Sequence, residues 1–462
     1  MEFVANSDGD FVSSWFRVYT RGMLQRLFRL REHKTDVKTE LMAGVTTFMT
    51  LSYIIFVQPT VLSACGMDFG AVLVATCAAS ALATFLMGIY ANYPIALAPG
   101  MGQNFFFAYT VVLGMGIPWE KALGAVFISG VLFFLLSFFG FREKLIDGIP
   151  DSLKEAIAVG IGLFIAMIGF QWSGIVVGSP STLVDLGSFH SAPVMVSSFG
   201  LVLTVILVAL RVRGALLWGI LATALAGLPV GVVKYHGIVG PVPSIAPTFL
   251  KLDIAGAFDL GLVSVVFIFF FLALFDSVGT LIGVSNQAGL LVDGKLPRAK
   301  EALSADAFGS VSGALLGTST VTAYVESAAG VAEGGRTGLA NMVTGILMVA
   351  ALFLYPLSRM AGDGFKLANG TQIYPVVAPA LIVVGSMMLR NVRRIRWEDS
   401  TEAIPAFLTM VLMPFAFSIT EGIAFGFIAY SLLKLVTGRG REVHGLVYLF
   451  AALFVIRYIF LQ

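Results

Sequence analysis

The sequence predicts an all-α polytopic membrane fold. The expected form is fourteen transmembrane segments in a seven-plus-seven inverted repeat, with short strands in the third and tenth segments. Three observations carry this expectation. Of 462 residues, 58% are hydrophobic and only 12% are charged, against about 25% charged in a soluble domain; the polar side chains are too few to cover a surface in water. Apolar runs of about eighteen residues or more recur along the chain, long enough to cross a hydrocarbon layer as helix. Finally, the basic residues sort between alternate loops.

In chain order, residues 1–40 are polar and basic, with no short apolar core and cleavage site of a secretory signal. The stretch is amphipathic: Trp15, Phe16, Tyr19, Leu24, Leu27 and Phe28 suit a bilayer surface, while Arg17, Arg21, Arg26, Arg29 and Arg31 suit water and lipid phosphate. A basic cytoplasmic tail that sets topology is the plainer reading of the same residues. Apolar runs between turn signals then give spans near 41–63, 70–90, 95–114, 120–140, 153–171, 194–211 and 214–232. The second half offers 258–285, 302–317, 320–334, 337–358, 372–389, 402–418 and 421–437. The last segment, 443–462, reads either as a fifteenth span or as an interfacial helix.

With the N-terminus in the cytoplasm and spans alternating, 23 of the 29 Lys and Arg residues fall on the cytoplasmic side, as the positive-inside rule requires. The exceptions are Lys121, Lys234, Lys251, Arg359, Lys366 and Arg457. A misplaced span in the middle would move every later loop to the wrong side. Seven spans per half is an odd number, so the second half enters inverted. Inverted repeats are the architecture of many secondary transporters, with the site near the midplane between repeats.

Some chemistry is excluded. Cys65 and Cys77 are the only cysteines, too few for a disulfide framework or thiolate metal site. His33, His190, His236 and His444 lie outside the apolar runs or at their edges, which argues against a metal cage. No phosphate-binding GxxxxGK[ST] loop is present. The net charge of +2 says little about partners, and no nucleic-acid partner is expected. Neither Arg nor Lys falls centrally in a span, so an anion would lack a fixed counter-charge. No cofactor is expected beyond a coupling proton.

Two segments are broken. "NYPIALAPGMGQNFFFAY" contains Pro94, Pro99, Gly100 and Gly102, which interrupt a helix and loosen its backbone. "TSTVTAYVESAAGVAEGG" passes from strand-like to helix-like at Glu326. In lipid every backbone group needs a partner. Two short extended pieces can supply each other's, each leaving a half-helix N-terminus at mid-depth.

The eighth span, "GLVSVVFIFFFLALFDSVGTLIGV", holds a single charge, Asp276. An acid there costs about 2.5–3.5 kcal/mol on insertion scales and is functional by default. Thr280 lies one turn on, and Gly279 and Gly283 would let another helix approach closely. Glu326 is favoured by the half-helix N-terminus, while Asp276 is expected to be the more desolvated acid and the proton carrier. Asp306 and Glu421 are expected to make helix-end or interdomain contacts. The ligand should be neutral or cationic, flat, and a donor to carboxylates. Phe105, Phe106, Phe107, Phe271, Phe275 and Tyr324 are candidates to line its slot.

"TTFMTLSYIIFVQP", "ALAPGMGQNFFFAY", "FDSVGTLIGV", "TAYVESAAGVAEGGRTGL" and "SITEGIAFGF", in this order, resemble the AzgA-like purine permeases, within the nucleobase–cation symporters that include xanthine and uracil permeases. The resemblance implies a core domain (spans 1–4 in 41–140 and 8–11 in 258–358) and a gate domain (spans 5–7 in 153–232 and 12–14 in 372–437). It also implies proton symport of a purine and a homodimer held by gate helices in the cell membrane. Carried over by motif, Asp276, Glu326 and Asn104 are purine-contacting positions, to which Val325, Phe105 and Thr280 are added. Asp276 and Glu326 are the proton-coupling pair. Thr280 stands where the uracil branch has histidine, which puts a histidine proton step in doubt. The motif forms look more like the guanine/hypoxanthine subgroup than the adenine one. An adenine permease, a pyrimidine or xanthine permease and an ion channel are the competing readings; an anion exchanger and a membrane enzyme lack the residues they would need.

Overall fold

The computed structural model describes residues 23–139, 149–258, 263–292, 295–367 and 370–460. Of the amphipathic tail, Trp15, Phe16, Arg17, Tyr19 and Arg21 lie outside the described residues. Phe28 is buried with Leu30 against Leu339, not presented outward as the amphipathic pattern suggested, whereas Leu27 is exposed.

The first apolar run is two helices. α1 (Val37–Leu51) starts at Asp36, whose carboxylate accepts from the N–H groups of Lys38 and Thr39, satisfying donors that a helix start leaves open. It breaks at Ser52–Tyr53 and resumes as α2 (Ile54–Ser63), with Pro59 inside. Pro59 has no N–H for the Ile55 carbonyl. The Ser358 hydroxyl donates to that oxygen instead, at 2.9 Å. α3 (Phe69–Leu86) ends in a wide turn closed by Asn92 at φ 52°. β1 (Leu97–Pro99) follows, then α4 (Met101–Phe105), which continues as π-helix over Phe106–Gly114, and α5 (Trp119–Phe139).

α6 (Asp151–Trp172) leads to a hairpin, β2 (Val176–Ser179) and β3 (Leu183–Leu186), in the loop that carries no Lys or Arg. α7 (Ala192–Ala209) and α8 (Ala215–Gly227) close the first half. The second half contains α9 (Val263–Gln287), α10 (Ala299–Leu316), β4 (Val321–Ala323), α11 (Ser327–Ala332), α12 (Gly338–Ala350) and α13 (Tyr355–Gly362). It continues with β5 (Phe365–Lys366), β6 (Gln372–Ile373), α14 (Ala378–Met388), α15 (Ser400–Phe415), α16 (Ile419–Val436) and α17 (Gly445–Phe460).

Among the described residues, eight helical stretches are long and apolar enough to cross a membrane, from Val37–Ser63 to Ile419–Val436. The broken segments fall short of that length. α10 carries Lys300, Glu301 and Asp306, and α14 has 11 residues. Asp306 is not at a span edge as the sequence suggested. It lies inside α10, fully buried.

The helices pack as two bundles. α1–α5 associate mainly with α9–α12, and α6–α8 with α14–α16. Buried Glu40 joins the first bundle: it accepts from the N–H groups of Arg336 at 2.8 Å and Ala340 at 3.3 Å, at the start of α12. In the second, buried Lys434 of α16 meets Glu402 of α15 at 2.9 Å. Outside the apolar layer, hydrogen bonds from Thr401, and secondarily from Arg439, hold the Asp399 carboxyl below the usual carboxylate range.

α17 runs antiparallel along α16. Near its start the Tyr448 hydroxyl donates to Gly440 O, and near its end Arg457 pairs with Glu421 at 3.0 Å while the Tyr458 hydroxyl also meets Glu421. Its Phe450 ring packs on Phe267 and Phe271 of α9 and on Phe427 of α16.

Candidate functional site

The two interrupted segments meet. β1 pairs antiparallel with β4, with Leu97 opposite Ala323, Ala98 opposite Thr322 and Pro99 opposite Val321. The Gly100 N–H reaches Thr320 O and the Tyr324 N–H reaches Ala96 O, both at 3.0 Å. The backbone groups that lipid could not satisfy are thus paired with each other. α4 departs from one strand and α11 from the other.

Asp276 lies at the middle of α9, so its carboxylate is set by a continuous helix and not by a loop. The residue is exposed and Glu326 is half-buried. Gly279 and Gly283 do not receive a close helix from the described residues: none of these lies within 4 Å of where either Cβ would stand. The α9 face carrying Asp276, with half-buried Thr280 one turn on, therefore borders open space. Val325 is 62% exposed. Asp276 and Glu326 lie within electrostatic range of each other.

Glu326 sits at the N-terminal end of α11, but its side chain does not cap that helix. Its Oε1 accepts from the Tyr53 hydroxyl at 2.7 Å, placed by the break between α1 and α2. Asp276 Oδ2 accepts from Gln103 Nε2 at 3.2 Å. Tyr53 and Gln103 are the site residues that sequence reasoning missed. Lone polar residues in apolar runs were the available signal, and many such residues in this chain do nothing comparable.

Asn104 is brought to the strand pair with both ends of its amide turned inward. Its Nδ2 donates to Pro99 O at 3.3 Å, and its Oδ1 accepts from the Ser319 hydroxyl. The Tyr324 hydroxyl donates to the same Pro99 carbonyl at 2.6 Å. Behind the strands, the Ser277 hydroxyl donates to Asp306 Oδ2 and lies 2.9 Å from Thr322 Oγ1. Of the expected aromatic lining, Phe106 and Phe107 are buried against Phe269, and Phe271 and Phe275 pack on each other. Phe105, also buried, stacks on Tyr109 and tilts against Trp172 of α6. It sits where the two bundles meet, with Tyr324 beside the acids.

The fold is two helical bundles, with the paired half-strands packed on the helices of the first. The transmembrane domain of the bicarbonate transporter BicA from a cyanobacterium superposes with a TM-score of 0.58 at 13% identity, covering 84% of this chain and 96% of that one. In sequence, the model of the permease family matches residues 38–425. The guanine/hypoxanthine permease PbuG of Bacillus subtilis is 46% identical over 95% of this chain and 100% of its own length. The adenine permease AdeP of Escherichia coli is also 46% identical, over 96% and 97%.

The chain belongs to this permease family, the xanthine/uracil group. It is a multi-pass membrane transporter and not an enzyme.

Proposed function

We propose that the protein moves a purine nucleobase across the cell membrane together with a proton. One observation carries this reading: two acids, Asp276 and Glu326, flank an interrupted backbone inside an apolar chain, each held by one uncharged donor and, among the described residues, with no arginine or lysine paired to it. An ionised carboxylate is an acceptor only, so the site favours a guest that offers N–H groups. Guanine presents N1–H and a 2-amino group side by side, a bidentate match for one carboxylate, and hypoxanthine presents the N1–H alone. Guanine and hypoxanthine are the favoured substrates on this chemistry and on the motif forms. Adenine is the second reading, supported by the equal identity to an adenine permease.

In this account the fourteen segments form a seven-plus-seven inverted repeat whose third and tenth members carry β1 and β4. The bundle of α1–α5 and α9–α12 is the moving core, and that of α6–α8 and α14–α16 is the gate, which also holds a homodimer. The N-terminus is cytoplasmic. Asp276 and Glu326 bind the purine and the proton, with Thr280 and Val325 at the mouth. Asn104 and Phe105 support the site from behind, Asn104 by fixing Pro99 and Phe105 by packing at the bundle junction. Competition against labelled hypoxanthine uptake tests the substrate: unlabelled guanine should compete best, and adenine competing better would favour the second reading.

A further inference from the structure

Gln103 is buried, at 1% exposure, in a site whose acids are not fully enclosed. Its Nε2 donates to Asp276 Oδ2 at 3.2 Å, while its Oε1 has no hydrogen-bond partner among the described residues. A buried amide oxygen without a donor is costly, and it calls for a physical reason. The amide is also held in place. A Cβ on Gly100 would overlap Gln103 Oε1 and stand 2.6 Å from Thr322 Cγ2, so Gly100 leaves the space in which the amide lies against the strand pair.

We propose that Gln103 is a positioning residue for the transported proton, its amide registering whether Asp276 carries that proton and passing the change to the junction of β1 and α4. This rests on the proton-symport reading above. Ionised Asp276 offers acceptors only and takes the amide N–H. A proton arriving from the open face bonds to one carboxylate oxygen and makes an O–H donor. Turning the amide over then presents Oε1 to that O–H, and its N–H₂ takes the place Oε1 held beside Gly100 and Thr322. Deprotonation reverses both changes. The other ionisable groups around Asp276 are Glu326 and Tyr324 across the strand break, Tyr53 on Glu326, and Asp306, reached through Ser277. Among the described residues, Gln103 is the one that hydrogen-bonds the Asp276 carboxylate.

The test uses the full chain in liposomes with labelled hypoxanthine, and two variants. Gln103→Leu removes both polar ends, and Gln103→Glu keeps the shape while replacing the amide N–H₂ with a second carboxyl oxygen that can share the proton of Asp276. Exchange of internal for external hypoxanthine without a proton gradient should fall less than gradient-driven accumulation in both. Gradient-driven accumulation should fall by about tenfold or more, the factor of one hydrogen bond to a charged acceptor, and its pH profile should flatten. A variant that accumulates normally overturns the proposal. So does a variant that loses exchange and accumulation in equal proportion with an unchanged pH profile, since that is a packing effect alone. A substrate-free arm separates this from the transport reading. In infrared pH-difference spectra, the C=O band of protonated Asp276, identified by its loss in Asp276→Asn, should move in Gln103→Leu. An unmoved band contradicts the role of Gln103. Absence of gradient-driven accumulation in the parent contradicts the symport reading instead.

Discussion

Glu326 owes its hydrogen bond to a residue 273 positions away, Tyr53. Tyr53→Phe keeps the ring and its packing on Tyr324 but removes the O–H. A hydrogen bond to a charged acceptor is worth about 1.5–3 kcal/mol. Initial uptake of labelled hypoxanthine should therefore fall by about tenfold or more, with the thermal unfolding midpoint in detergent little changed. Unaltered uptake would remove Tyr53 from the site. The acids themselves were legible because a charge in an apolar run is expensive and so conspicuous. Tyr53 and Gln103 were not, because their partners lie far along the chain and only tertiary packing brings them together. Asp306 shows the same limit: its spacing suggested a helix end, and its burial became evident only once Ser277 was placed against it.

At the scale of elements, small residues divide into those that permit close packing and those that face space. A Cβ on Gly338 would overlap the Gly88 carbonyl oxygen, and one on Gly88 would stand 2.7 Å from the Gly338 carbonyl. The contact is backbone on backbone, between the end of α3 and the start of α12, where no rotamer can relieve it. Gly338→Ala should destabilise the protein by about 1–3 kcal/mol or more, seen as a lower thermal midpoint. Gly283→Ala should leave that midpoint unchanged, although the small-residue spacing in α9 suggested the opposite. β4 is a three-residue piece inside the strand-like stretch "TSTVTAYV", where β-branched residues and a following run of small ones mark the changeover. The hairpin of β2 and β3 carried no comparable pattern. The break at Ser52–Tyr53 was also hidden, since nothing in "MTLSYIIF" forbids a continuous helix.

At the scale of the molecule, alternating access requires the two bundles to move against each other. Tyr109 of the first meets Phe417 of the second with ring centroids 5.8 Å apart. Tyr109→Cys combined with Phe417→Cys, bridged by a reducible bifunctional thiol reagent, should lose uptake and recover it on reduction. The native thiols, Cys65 and Cys77, are both buried and should not interfere. Full uptake by the cross-linked protein would mean that this junction does not move. The basic residues and apolar runs made the membrane class legible, but not which helix lies against which. α17 is the clearest case: composition left it open, and its place along α16 and against α9 rests on Phe450 and on the pairing of Arg457 with Glu421.

The most direct measurement of the central claim is uptake of labelled hypoxanthine by liposomes holding the full chain, driven by an inward proton gradient, with and without a protonophore. The parent should accumulate the purine only while the gradient stands, and Asp276→Asn and Glu326→Gln should each abolish accumulation while leaving the fold intact. Accumulation that ignores the protonophore, or survives both substitutions, would contradict it.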